Sequence, residues 1–259
     1  MELGIAGRRA IVCAASQGLG RGAARALAGE GVNVTINARR SALLEETAEA
    51  IRSETGVRVT AVAGDIATED GRAAVLAACP EPDIVVNNCG GAPPGDFRDW
   101  SREDWIAAFD GNALSAIFMI KATVDGMIER RFGRIVNITN FAIKGGFPDL
   151  GLSVGAVGAL TGFVGGLARQ TVRHNVTINN LVPGRFDTDR LRSNMEVTMR
   201  ETGRSLEDVR AERVARVPAG RLGDPAELGH ACAYLCSTRA GYITGQNVVL
   251  DGGEYPGTF

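Results

Sequence analysis

Several features that would announce a function class are missing from this sequence. No charge block or basic stripe interrupts it. The net charge is −2, with acids and bases interspersed, which argues against a nucleic-acid or anionic-membrane footprint. The longest apolar runs, as in AIVCAA and DIVVNN, are strand-sized and well short of the roughly 18 residues of a membrane span. No secretory signal is expected ahead of the first strand. Five cysteines, an odd number scattered through the chain, argue against a disulfide framework. Cys232 and Cys236 lie four apart on an expected helix but lack a well-placed histidine or second cysteine pair, so they read as core residues. There is no Pro/Ser-rich linker and no internal repeat. A chain of 259 residues that is 45% hydrophobic can bury one large core, so a single domain over residues 1–259 is expected. These absences describe a soluble cytoplasmic protein whose partner is a small molecule.

What is present is an alternation. Short β-branched runs at 9–15, 33–38, 58–65, 83–88, 134–140, 175–184 and 247–253 read as strands. Between them, 18–30, 41–54, 69–78, 101–130, 152–173 and 225–236 read as helices. Strands apolar on both faces and separated by helices imply a parallel sheet. Right-handed crossovers then give an α/β, doubly wound, Rossmann-like fold with helices on both faces.

The first turn of that fold reads CAASQGLG, with Gly18 and Gly20 opening a helix directly after strand one. This geometry lets backbone amides meet a pyrophosphate at a positive helix terminus, although a glycine-rich turn taken alone is weak evidence. Strand two ends NARR. A carboxylate there would hold the ribose hydroxyls of NAD. Arg39 and Arg40 instead suit a 2′-phosphate, the alternative being a solvated start to the next helix. NADP(H) is therefore the expected cofactor, with NAD(H) the other candidate.

Six pieces in order carry a family resemblance: CAASQGLG, GDIA, NNCG, FDGNALSAIFM, VPGRFDTD and ITGQNVVLDGG. The chain resembles a short-chain dehydrogenase/reductase from end to end. The resemblance implies cofactor contacts at Ala14, Ser16, Gly18, Leu19, Gly20, Arg39, Arg40, Asp65, Ile66, Asn88, Cys89, Gly90, Pro183, Gly184 and Thr188. In it, Asp65 bonds the adenine amino group and Thr188 contacts the nicotinamide carboxamide. Asn112 matches the helix asparagine that holds a water in the family's proton relay. Cys13 and Ala14 depart from the threonine-glycine that opens the family's loop, and Cys89 stands where alanine is usual.

The same resemblance exposes a gap. A serine normally closes strand five, and a tyrosine thirteen residues later opens a tyrosine-x-x-x-lysine turn. Here RIVNITN places Asn140 at the serine position, Ser153 follows thirteen residues later in LGLSVGAVGALTGF, and Val157 stands four beyond that. Carbonyl reduction by hydride needs a proton delivered to the developing alkoxide. A phenol near pKa 10, lowered by an ammonium, can supply it, whereas a serine hydroxyl is too weak an acid and valine carries no charge. The Asn140 amide can still donate to a substrate oxygen. Lys144, in the loop leaving strand five, could point inward as acid or cation, or lie solvated. Tyr255 would need the tail to fold over a pocket. Tyr234, Tyr242, His174 and His230 also lie late in the chain. The candidate catalytic set is Asn112, Asn140, Ser153 and Lys144.

Two further features concern assembly and substrate. Gly155, Gly158, Gly162 and Gly165 step along one helical face. Each costs a helix interior about 1 kcal/mol against alanine, so the stripe implies a close contact. That contact is either with the chain's own sheet or, as the resemblance implies, with a second subunit in a homodimer or homotetramer. Residues 189–216 hold seven arginines and six acids and correspond to the family's helical substrate lid. Those arginines could hold an acidic substrate or sit in surface salt bridges. Three functional readings follow: an oxidoreductase acting on a small carbonyl or alcohol through a non-standard relay, a cofactor-binding protein without turnover, and a non-redox enzyme on the same fold.

Overall fold

The computed structural model describes residues 2–257. The β-branched runs become seven strands: β1 (Arg9–Val12), β2 (Asn33–Ala38), β3 (Val59–Ala63), β4 (Ile84–Asn87), β5 (Gly133–Ile138), β6 (Val176–Pro183) and β7 (Asn247–Leu250). They form one sheet in the order β3-β2-β1-β4-β5-β6-β7, with every pairing parallel. The order reverses between β1 and β4, which opens a crevice at the carboxyl ends of the strands. The helices between the strands are α1 (Gly18–Gly29), α2 (Ser41–Thr55), α3 (Glu69–Ala78), α4 (Arg102–Phe109), α5 (Ser115–Glu129), the single turn α6 (Ala142–Gly145), α7 (Gly151–Thr171), α8 (Asp189–Thr202), α9 (Leu206–Ala215) and α10 (Pro225–Cys236).

Two cores follow from the sheet's two faces. Leu27 of α1, Leu44 and Ile51 of α2, and Leu228, Cys232 and Cys236 of α10 pack on one side. Val75 of α3, Met119 and Ile120 of α5, and Ala156, Leu160 and Val164 of α7 pack on the other. All of β4, β5 and β6 is buried, as central parallel strands covered by helices on both faces are, and this burial takes in the polar Asn87, Arg134, Asn137, Thr177, Asn179 and Asn180. On the first face, α1 and α10 cross with almost no separation. A Cβ at Gly22 would lie 2.4 Å from the Pro225 carbonyl oxygen, and one at Gly229 would lie 2.4 Å from that of Gly22.

The departures from sequence expectation are local. Strand one stops at Val12 because Ala14 adopts a left-handed φ of 48°, which no strand continues. The single helix expected over 101–130 is α4 and α5 joined by a π-helical turn, Asp110–Leu114. The excursion at 189–216 is two helices, separated at Gly203 with φ 69°. The expectation that nothing approaches a membrane span needs correction. Pro148–His174 is long and apolar enough by length and composition, with mean hydropathy 1.7. Leucine, valine and alanine alternating with glycine produce that value, and Leu160, Val164 and Ala168 of this helix lie in the core.

A row of amides crosses the carboxyl half of the sheet. Asn87, Asn137, Asn180 and Asn247 stand in register on adjacent strands. Asn87 donates to Asn137 Oδ1, Asn137 to Asn180 Oδ1, and Asn180 to Asn247 Oδ1, each at 2.8 Å. Because a side-chain amide carries both donor and acceptor, identical residues link across any number of strands. A one-residue slip would strand every buried partner. Asn137→Ala should therefore cost about 2–4 kcal/mol, since it leaves a buried donor and a buried acceptor unpaired. Urea denaturation measures this, and a loss below about 1 kcal/mol would rule out a register-setting role.

Candidate active site

The crevice at the switch point is a cavity of about 1140 Å³. Its cofactor-sized end is built by β1 and α1. Gly18 takes φ +57°, and α1 begins there with Gln17 extended and no side-chain cap, so the first helical amides face the cavity uncapped. Gly20 tolerates no side chain: a Cβ there would sit 2.3 Å from Ala14 O and 2.9 Å from Asn88 Nδ2. Asn88 Nδ2 donates to Ala14 O at 3.3 Å, and Thr47 Oγ1 donates to Ser16 O at 2.9 Å. These two bonds pin the loop to β4 and α2.

Arg39, Arg40, Asp65 and Ile66 line the same end. Arg40 is engaged, donating to Gln17 Oε1. Asp65 accepts from the Ala67 amide at 3.0 Å, which stabilises the turn and orients its carboxylate. Of the fifteen residues expected at the cofactor, all line the cavity except Gly20, whose role is to let loop and helix approach. Thr188 is partly committed, because its Oγ1 accepts from Leu191 N at 3.3 Å as the N-cap of α8.

Toward the middle of the cavity, Asn112, Asn140, Ser153 and Val157 come together in its lining. Asn140 Nδ2 donates to Ser153 Oγ at 3.4 Å, and its Oδ1 accepts from Ala142 N at 2.8 Å. Asn112 sits in the π turn, a form of helix often found at functional sites. Its Nδ2 donates to Ala108 O at 3.0 Å, and its Oδ1 accepts from the Cys89 thiol at 3.3 Å. Burial pushes that thiol up to about 11, against the opposing effect of Arg190, so Cys89 is a neutral donor near pH 7. Lys144 is absent from this lining. It rides on α6 with its ammonium 5.4 Å from the Tyr255 ring centroid, because the tail returns beside α6. The structure therefore does not bring Lys144 together with the other candidate catalytic residues. Tyr234 is half-exposed on α10 and Tyr242 fully exposed.

The far wall adds residues outside the expected cofactor and catalytic sets, several of them from the expected lid at 189–216. Phe147, Asp149 and Leu150 precede α7, Arg185 and Phe186 follow the Pro183-Gly184 turn, and Arg190, Leu191, Asn194, Arg213 and Arg216 come from α8 and after. Arg185 was detectable as the residue after a cofactor turn. Asp149 was detectable as the acid four residues before Ser153. Three of the seven arginines in 189–216 sit in ion pairs: Arg204 and Arg216 with Glu212, and Arg210 with Asp187.

Comparison with known proteins agrees with this geometry. The family model described as enoyl-(acyl carrier protein) reductase matches residues 13–254. The chain is 31% identical over 252 residues to the NADPH-dependent reductase BacG of Bacillus subtilis, covering 95% of this chain and 97% of that one. It is also 31% identical to the 3-oxoacyl-[acyl-carrier-protein] reductase FabG of Vibrio cholerae, covering 98% and 99%. Among solved structures, L-sorbose reductase from Gluconobacter frateurii complexed with NADPH and L-sorbose superposes with a TM-score of 0.94 at 27% identity, covering 99% of this chain and 100% of that one. The chain belongs to the short-chain dehydrogenase/reductase family.

Proposed function

We propose that this protein is an NADP(H)-preferring oxidoreductase that interconverts a small carbonyl compound and its alcohol without the family's usual tyrosine and lysine. One observation carries the reading: a single cavity joins Arg39, which has no carboxylate within ion-pair distance among the described residues, to the Asn140–Ser153 pair. The names of BacG and the sorbose reductase, both NADPH proteins, support it. The residues present fit the dinucleotide. Uncapped amides of α1 suit the pyrophosphate, Asp65 an adenine amine, and Arg39 a 2′-phosphate. When bound, NADPH supplies the hydride.

The chain's own residues then have limited parts. The remaining N–H of Asn140 polarises a carbonyl oxygen. Ser153 Oγ, already accepting from Asn140, offers its hydroxyl proton as a hydrogen bond to the same oxygen. Neither titrates near pH 7, so the proton itself comes from water admitted to the cavity. Val157 contributes shape and no charge. This absence of an acid or base also favours a second reading, a cofactor-binding protein without turnover.

We also propose a homodimer or homotetramer. A Cβ at Gly155 would meet Trp105 of the same chain at 2.9 Å, whereas Gly158, Gly162 and Gly165 have nothing within 4 Å of that position. Phe163 on the same helix and Phe118 on α5 are exposed. An open glycine-lined face flanked by phenylalanines suits a two-fold copy of itself.

Three outcomes are expected. NADPH should bind about tenfold or more tightly than NADH by calorimetry, with Arg39→Ala removing most of the preference and Arg40→Ala less, since Arg40 is already bonded to Gln17. Equal affinities would overturn the cofactor assignment. The variant combining Ser153→Tyr, Val157→Lys and Asn140→Ser should gain carbonyl reduction over wild type. Loss of an existing wild-type activity would instead show that Asn140 and Ser153 work as they stand. If both proteins bind NADPH and neither turns over, the binding-protein reading holds. Gly162→Leu should convert the oligomer to a folded monomer, seen by light scattering with unchanged circular dichroism, and a wild type monomeric at micromolar concentration removes the assembly.

A further inference from the structure

The arginines at the far wall of the cavity are not equivalent. Arg185 pairs with Glu254 at 2.8 Å, both side chains nearly buried. Arg216 pairs with Glu212 at 2.7 Å. Arg190 has no carboxylate within ion-pair distance among the described residues, but its two terminal nitrogens donate to the carbonyls of Gly91 and Ala92 at 3.3 and 3.4 Å. Arg213 differs from all three. It lines the same cavity, yet has no carboxylate within ion-pair distance among the described residues. Its hydrogen bond is a long one, 3.5 Å to Thr198 Oγ1. Burial lowers its pKa, and the charges of Arg185 and Arg216 lower it further, against weaker support from Glu212 and Asp149. A half-buried guanidinium near other guanidinium groups, with one long hydrogen bond to a hydroxyl and no carboxylate on its fork, is stabilised by an anion that arrives from outside.

We propose that the far wall of the cavity receives a carboxylate carried by the carbonyl substrate, with Arg213 as its binding partner. This rests on the oxidoreductase reading of the same site and names its substrate class. The charge arrangement selects a monoanion. Arg185 and Arg216 already face Glu254 and Glu212, the terminal nitrogens of Arg190 are taken by backbone carbonyls, and Asp149 lies in the same cavity, so a phosphoryl dianion meets the one weakly engaged fork of Arg213 and a nearby carboxylate. Phe147, Leu150, Phe186 and Leu191 give the wall an apolar part that suits a short carbon chain between carboxylate and carbonyl. Arg213 thus acts in binding and specificity, away from the Asn140–Ser153 pair where the carbonyl is read.

The test compares straight-chain oxo acids of four to eight carbons with their methyl esters and with inorganic phosphate. Calorimetry is run on the protein with and without saturating NADP⁺. The best acid should bind at least about tenfold more tightly than its ester. Arg213→Gln should equalise the two, and Arg213→Lys should retain part of the difference because it keeps the charge and loses the fork. Thermal denaturation confirms that each variant is folded, and Thr198→Val, which removes the contact that holds Arg213, provides a second perturbation that should weaken acid binding alone. Acid and ester binding equally, no acid binding below about 10 mM, or an acid preference that survives Arg213→Gln overturns the proposal. Phosphate bound more tightly than any acid, in an Arg213-dependent way, overturns the carboxylate assignment. Failure to bind NADPH refutes the oxidoreductase reading instead, and the cofactor-free comparison still decides the role of Arg213.

Discussion

The amide row from Asn87 to Asn247 is the constraint on which the site depends. Parallel strands buried on both faces have little besides backbone bonds and apolar packing to set their register, and apolar packing tolerates sliding. Three buried asparagines, Asn87, Asn137 and Asn180, each donating along the row at 2.8 Å and the last to the exposed Asn247, make sliding costly because each displaced buried amide would lose its partner. Asn88 and Asn140 leave the sheet immediately beyond this row. The first holds the Ala14 carbonyl and the second faces Ser153. The positions of both cofactor loop and candidate catalytic pair are therefore inherited from the register of β4 and β5.

Above that row the cavity divides by charge. Its lining offers uncapped helical amides and Arg39 on one side and Arg213 on the other, neither arginine having a carboxylate within ion-pair distance among the described residues. Between them lie Asn112, Asn140, Ser153 and Val157, which donate hydrogen bonds or contribute shape but do not titrate near neutrality. An environment of fixed dipoles without a fixed acid can stabilise a developing alkoxide, and under the proposed function the proton comes from water. Cys89 fits this pattern: burial keeps its thiol protonated, so it serves Asn112 as a donor.

The two glycine-mediated contacts show how one residue type serves different ends. Gly22 and Gly229 bring α1 and α10 into backbone contact within the chain, so the helix bearing the cofactor loop is held rigidly from behind. Gly158, Gly162 and Gly165 face open space. In the first case the packing is complete within the chain, and in the second it is the open face on which the proposed assembly rests.

Alternating strand and helix patterns and β-branched runs determined the doubly wound sheet from local information, and the family resemblance carried by the motifs, with the two arginines at 39–40, pointed to fourteen of the cavity's lining positions. These features are legible because periodicity and turn chemistry act between neighbours in the chain. The identity of Ser153 and Val157 was equally plain. Long-range pairing was decided by the tertiary structure alone. Lys144 meets Tyr255 across more than a hundred residues, Arg185 is neutralised by Glu254 from 69 residues away, and Arg213 has no carboxylate within ion-pair distance among the described residues. All seven arginines of 189–216 look alike in sequence. What separates them is which carboxylates the fold brings within ion-pair distance, a property of surroundings assembled from distant segments.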